Sequence, residues 1–385
     1  TSLTVPVLAA TFKYGSSSVL QGIDYQKSST TKAAFNFARN DQVFVTGITS
    51  NICVESFGYD SNNYLVSASH PSSTHGPNTR TPASSLGDYA NETFSYDGIG
   101  NRVSDQFGSF NYTNSSYHLE SDHKYNYIYD TNGNLSSREN RATGETEKYE
   151  YSSENQLISV KFYPTFMSTV PNREVRYYFD AIGRRMAKVV VDHEAPSDPL
   201  KTFTRHYAYD GKEIIAEFDE NNSVLARYTH STLRTDDVLA IDVTSAGVTR
   251  KVASAAGSYY YLKDHLGTIK HVADALGNVI QTINYTAYGV ITSIKDAANT
   301  DISSNPLVQI FHSFTGREYD RETGLYYYRA RFYSADTGRF LQMDPHPGKT
   351  ELPVSVINRY AYAGTNPIYF VYPSGKLFGF DDLIV

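Results

Sequence analysis

Aromatic and polar residues alternate along most of this chain, and short polar turns break the alternation at intervals. In Tyr125-Asn126-Tyr127-Ile128-Tyr129 every second ring falls on one face of an extended strand. Asp130-Thr131-Asn132-Gly133-Asn134 then supplies a side-chain acceptor and residues that tolerate positive φ, and Leu135 opens a return strand. The unit predicted is a β-hairpin that cannot bury its apolar face alone but can when stacked on others. Copies start at Tyr59, Tyr96, Tyr129, Tyr151, Phe179 and Tyr209, with ragged spacing, so the repeat covers roughly residues 55–230. The first 50 residues alternate as strands do, as in Gln42-Val43-Phe44-Val45-Thr46, without a defensible repeat. The Ser/Thr/Pro-rich stretch Ser72–Ser85 and Pro196–Leu200 read as surface loops.

Composition sharpens this picture. A chain of 385 residues exceeds the ~250–300 residues of one ordinary core, so it should be divided, elongated or hollow. Its 33 Tyr nearly equal the 34 Lys and Arg combined, beside 3 Met and no Trp. Tyr favours half-buried pleated surfaces with the hydroxyl reaching a polar partner, which predicts an all-β protein. A net charge of −7 gives no attraction for nucleic acid. The single Cys53 excludes a disulfide framework and any multi-cysteine metal site, and reads as a small buried hydrophobe. No apolar run is long enough for a membrane-spanning helix. The start at Thr1, with neither Met nor a leader, predicts a processed piece or a fragment of something larger.

From Tyr259 the pattern becomes more specific. Tyr259-Tyr260-Tyr261-Leu262-Lys263-Asp264-His265-Leu266-Gly267-Thr268 is followed by Phe314-Thr315-Gly316-Arg317-Glu318-Tyr319-Asp320. Next come Gly324-Leu325-Tyr326-Tyr327-Tyr328-Arg329-Ala330-Arg331-Phe332-Tyr333 and Thr337-Gly338-Arg339-Phe340-Leu341-Gln342-Met343-Asp344-Pro345. These segments, with Asn358-Arg359-Tyr360-Ala361-Tyr362 and Asn366-Pro367, resemble the RHS/YD-repeat family and its RHS-associated core. The resemblance implies YD-repeat hairpins wound as a continuous antiparallel strip into a barrel-like or cocoon-like shell. It divides the chain into an N-terminal β segment (1–54), YD repeats (55–255), a core domain with an inward-turning plug (256–377) and a short tail (378–385). It further implies a secreted or cell-surface protein that encapsulates or presents a polypeptide cargo. The alternative is a structural or adhesive surface component that contacts neighbouring chains or cell-surface glycans.

Little conventional chemistry is available. Asp264-His265 would point to opposite faces of a strand, so each reads as structural. The 11 His show no metal-ligand spacing, no catalytic or phosphate-binding motif is present, and neither cofactor nor metal is expected. The resemblance leaves one reaction, aspartyl self-cleavage, and maps its catalytic residues to Asp344 and Arg331. That chemistry needs two carboxylates sharing a proton, and the family pattern has a second Asp where this chain has Tyr372. A phenol titrating near pH 10 cannot take that role. Gly375-Lys376-Leu377 also adds a residue before the expected cut, the stretch from Asp344 is lengthened around Pro347 and Glu351-Leu352-Pro353, and the chain runs on to Val385. Only Asp381 or Asp382 could substitute. An ion pair between Asp344 and Arg331 is therefore expected rather than a working protease. The sequons at Asn91, Asn111, Asn114, Asn134, Asn221 and Asn284 read as turn residues.

Overall fold

The structure is a computed structural model that describes residues 2–4, 8–15, 18–50, 54–70, 91–113, 117–232, 234–348 and 356–376. Cys53, the Ser72–Ser85 stretch, Asn114, Glu351–Pro353, Leu377 and the tail with Asp381 and Asp382 lie outside the described residues. Among the described residues the strands form three antiparallel sheets of ten, sixteen and four members, each ordered as the chain runs. The first extends from Ser2–Thr4 to Gly108–Ser109 and the second from Asn111–Tyr112 to Ile291–Asp296. The interruption falls at Phe110, whose amide turns back to Val103 O. The second sheet passes residue 255 unbroken, because Val238–Val243 pairs directly with Gly257–Lys263.

The hairpin turns follow from their acidic residue. Asp130 Oδ1 accepts from Asn132 N at 2.9 Å and Asn134 N at 2.8 Å, and Gly133 takes φ 80°. Asp60, Asp97 and Asp180 hold their turns in the same i+2, i+4 manner. Asn40 and Ser152 do so without an acid, which extends the unit into the first 50 residues. After Tyr209 the turn is instead a tight two-residue one, with Asp210 opposite Glu213, and the Asx geometry appears at Asp219.

The repeated tyrosine also has a defined task. It sits at a register shift beside the turn, as at Ile128/Tyr129, Glu150/Tyr151 and Ala208/Tyr209. Its hydroxyl donates to the first residue of the preceding hairpin's return strand: Tyr59 to Val45 O (2.6 Å), Tyr151 to Leu135 O (2.8 Å), Tyr209 to Arg185 O (2.9 Å) and Tyr285 to Ile269 O (2.9 Å). Consecutive hairpins are thus stitched by a side chain as well as by the sheet. Tyr151→Phe is expected to lower stability by about 1 kcal/mol, read as a shift in urea midpoint. An unchanged midpoint would count against the stitch.

The four-stranded sheet (Glu318–Asp320, Leu325–Tyr328, Arg331–Ser334 and Arg339–Phe340) is buried on both faces, so it lies inside the protein. In a sequential meander alternate turns fall on the same edge of the strip. Turn after turn on one edge meets the C-terminal segment. Phe44 packs on Tyr369 with ring centres 4.7 Å apart, and Asn63 O accepts from Asn366 Nδ2 at 3.0 Å. Asn101 Oδ1 accepts from Arg339 (3.0 Å), Gly133 O from Tyr360 (2.7 Å), Gly183 O from Tyr327 (3.1 Å) and Gly289 O from Tyr326 (2.7 Å). Among the described residues no strand pairing joins the strip's ends into a closed barrel. The C-terminal segment closes that edge through side chains.

Candidate functional site

Arg331 and Asp344 meet inside this closed edge. Arg331 Nη2 donates to Asp344 Oδ2 at 2.7 Å, with side chains 1% and 6% exposed. The guanidinium also donates to Gly375 O (2.6 Å) and Arg359 O (3.0 Å), and stacks 3.7 Å from the Phe340 ring centre. Tyr372 Oη donates to the same Asp344 Oδ2 at 2.8 Å, while Oδ1 accepts the His346 amide at 2.9 Å. Burial, reinforced by the Asp344 charge, pushes the Tyr372 phenol well above its ordinary range, so it is a neutral donor. Burial also pulls the Arg331 guanidinium down. Gly375 sits at φ 62°, where a Cβ would come within 2.0 Å of Tyr328 O, so this return of the chain requires glycine.

The structure therefore brings together the two residues mapped by motif, and position 372 with them. What faces Asp344 from 372 is a phenol, which cannot share a proton as a second carboxylate would. The arrangement binds one carboxylate firmly and offers no acid–base pair at those positions. Tyr372→Asp is expected to place two carboxylates against one guanidinium and raise one carboxyl pKa. Such a raised group favours folding only where it is protonated, so the variant should melt lower than wild type at pH 7.5 and regain stability as pH falls toward 4.5. A variant with the same pH profile as wild type would contradict this geometry.

A second cluster, which local motifs did not reveal, lies beside the same return of the chain. Arg329 binds Asp236 through both terminal guanidinium nitrogens (2.6 and 3.0 Å), reaches Glu213 at 3.2 Å, and donates to Pro373 O. Arg317 Nη1 meets Asp236 Oδ1 at 2.5 Å. Burial works against ionisation of both acids. The two arginines outweigh it at Asp236, whose pKa falls, whereas the neighbouring Asp236 charge raises Glu213 further. With two guanidinium groups occupied, this cluster anchors the chain at Pro373. Asp264 instead builds a turn, accepting from Leu266 N and Thr268 N at 2.9 and 3.0 Å, and His265 Nε2 bonds Ile368 O at 2.8 Å. Burial raises the Asp264 pKa to about 6 and lowers that of His265 to about 4. Among the described residues no group of His, Cys, Asp and Glu has metal-binding geometry, and no helix is long and apolar enough to cross a membrane.

Comparison with known proteins accounts for this architecture. Residues 203–368 match the family profile described as Teneurin YD-shell. The chain superposes on the Photorhabdus luminescens Tc holotoxin pore with a TM-score of 0.71 at 18% identity, covering 96% of this chain and 18% of that one. This is an RHS/YD-shell protein. The YD-shell is 27% identical over 336 residues to the double-stranded DNA deaminase toxin A of Burkholderia cenocepacia strain H111, covering 83% of this chain and 22% of that one. It is 28% identical over 390 aligned positions to the tRNA nuclease WapA of Bacillus subtilis strain 168, covering 91% of this chain and 15% of that one. The YD-shell thus spans under a quarter of either relative.

Proposed function

We propose that this chain is the closing end of a YD-shell that encloses a polypeptide cargo outside the cytoplasm, in toxin delivery, and that it catalyses no reaction itself. The supporting observation is the closed edge, where turns between Phe44 and Gly289 converge on the C-terminal segment. Such a seal would separate an interior from solvent. The names of the relatives, a deaminase toxin, a tRNA nuclease and a Tc holotoxin, favour a shell that accompanies a toxin. The phenol at 372 favours the non-catalytic reading.

Size limits what the cavities could hold. Two of them, among the described residues, measure about 530 and 490 Å³. A folded domain of about 100 residues, with a radius of gyration near 13 Å, fills on the order of 10⁴ Å³. Either cavity therefore suits an extended segment of cargo rather than a folded domain. A second reading, a structural or adhesive surface component, draws on the filled aromatic interior, where Tyr326, Tyr328, Tyr333 and Tyr362 are fully buried.

The deciding experiment is the intact mass of the protein from its own cell, with both termini sequenced, before and after mild protease. The shell reading expects a second polypeptide that stays with the chain and resists protease until denaturant is added. A single species with no retained polypeptide would overturn it in favour of the surface component.

A further inference from the structure

The two cavities share Arg173, Asp192, Arg321 and Glu322 in their walls, so they adjoin along one face of the strip. Their charges are opposite. The first is lined by nine carboxylates against five Lys and Arg, the second by three carboxylates against seven Lys and Arg. A basic chamber runs counter to the chain's net charge of −7. Aromatic rings lie beneath the cations: Arg173 stacks 4.1 Å from the Phe162 ring centre and Arg205 5.1 Å from that of Phe203. Arg173 Nε and Arg205 Nη1 are buried without a hydrogen-bond partner. A buried donor left unpaired is costly, so an incoming acceptor would be favoured there.

We infer that the two cavities form one groove for an extended polypeptide, with its cationic residues in the first chamber and its anionic residues in the second. This deepens the shell reading and rests on it. A compact phosphate ligand fits less well. The cations of the second chamber stand on separate strands and loops, and several are already engaged, Lys188 by Glu322 and Arg250 by Glu220. What remains is charge spread along a wall with rings between, which suits successive side chains of an extended peptide. Opposed charge at the two ends sets the direction in which the segment lies.

The test uses the full chain and two fluorescent peptides of identical composition. One carries a lysine block followed by a glutamate block, and the other has the same residues interleaved. Anisotropy titration at low salt should show the block peptide binding at least about tenfold tighter. Lys201→Glu with Lys251→Glu, both exposed on the second chamber's wall, should remove that preference. Glu145→Lys with Glu194→Lys, both exposed on the first, should do the same. Equal binding of the two peptides, or a preference untouched by both double variants, would overturn the groove. A protein that retains its native polypeptide yet binds both peptides equally would refute the groove alone. One that discriminates the peptides but carries no polypeptide would refute the shell reading and leave the groove.

Discussion

Replacing Asp320 by Ala should lower the unfolding free energy by about 3–5 kcal/mol, the usual effect of removing one partner from a buried ion pair. Asp320 is fully buried on the inner sheet and ties it to the strip wall. It accepts from Arg185 Nη1 at 3.3 Å and Tyr177 Oη at 2.5 Å, and it pairs with Lys188 Nζ. Burial opposes its charge, but Lys188 and Arg185 outweigh burial and hold its pKa below the ordinary carboxylate value. Without it Lys188 keeps Glu322, at 2.7 Å. Arg185, itself fully buried, loses its hydrogen-bonded carboxylate and keeps rings, with Tyr327 at 4.6 Å and Tyr207 at 5.2 Å, and the longer-range charge of Glu318. Asp320→Asn preserves the shape and an acceptor for Tyr177, yet should recover little, because the guanidinium loses the carboxylate it directly contacts. Urea unfolding followed by tyrosine fluorescence measures both variants. A loss below about 1 kcal/mol for Asp320→Ala would show that the inner sheet is held by ring packing instead.

The contrast between Asp130 and Asp320 explains what was legible in the chain. The Asp130 turn is complete within five residues, so its acceptor and its glycine can be read directly. The same logic reached Asp60, Asp97 and Asp180 and the copy at Tyr151, where Ser152 is the acceptor, but missed Asn40 because the first 50 residues offer no Tyr-Asp pair and any short acceptor suffices. It placed a copy at Tyr209 where a tight turn stands, since Tyr-Asp-Gly also begins a two-residue hairpin. Asp320 finds its partners 132 to 143 residues away, and nothing near it announces them. Arg331 and Asp344 were legible through the resemblance, and their pairing spans only 13 residues. The Arg329–Asp236–Glu213 cluster depends on residues 93 and 116 positions distant, so local sequence carried no sign of it.

His70 is a comparable case, and the one where pH should expose the chemistry. Its Nδ1 lies 3.0 Å from Glu55 and its Nε2 2.9 Å from Glu92, with all three side chains under 8% exposed. Lys270 Nζ stands 3.3 Å from Glu55, and the Ala287 amide donates to Glu92 at 2.8 Å. Burial opposes a charged imidazole, but the hydrogen bonds to both carboxylates outweigh it and raise the pKa to about 9. Burial likewise opposes the Glu55 charge, and Lys270 with His70 holds that carboxyl far below its usual range. Against an unfolded value near 6.5, a rise to about 9 is worth roughly 3 kcal/mol. That stabilisation is complete below pH 6.5 and disappears as pH climbs through about 9. His70→Ala should therefore cost about 3–5 kcal/mol at pH 6, leaving two buried carboxylates beside a single lysine. The deficit should shrink to a small residue of lost packing by pH 9.5. Buried tyrosines such as Tyr285, pushed upward by desolvation, also weaken the fold as pH nears 10. The informative quantity is thus the difference between wild type and variant at each pH. A difference that stays constant from pH 6 to 9.5 would mean the imidazole is neutral in the fold, and Glu55 would then depend on Lys270 alone for its charge partner.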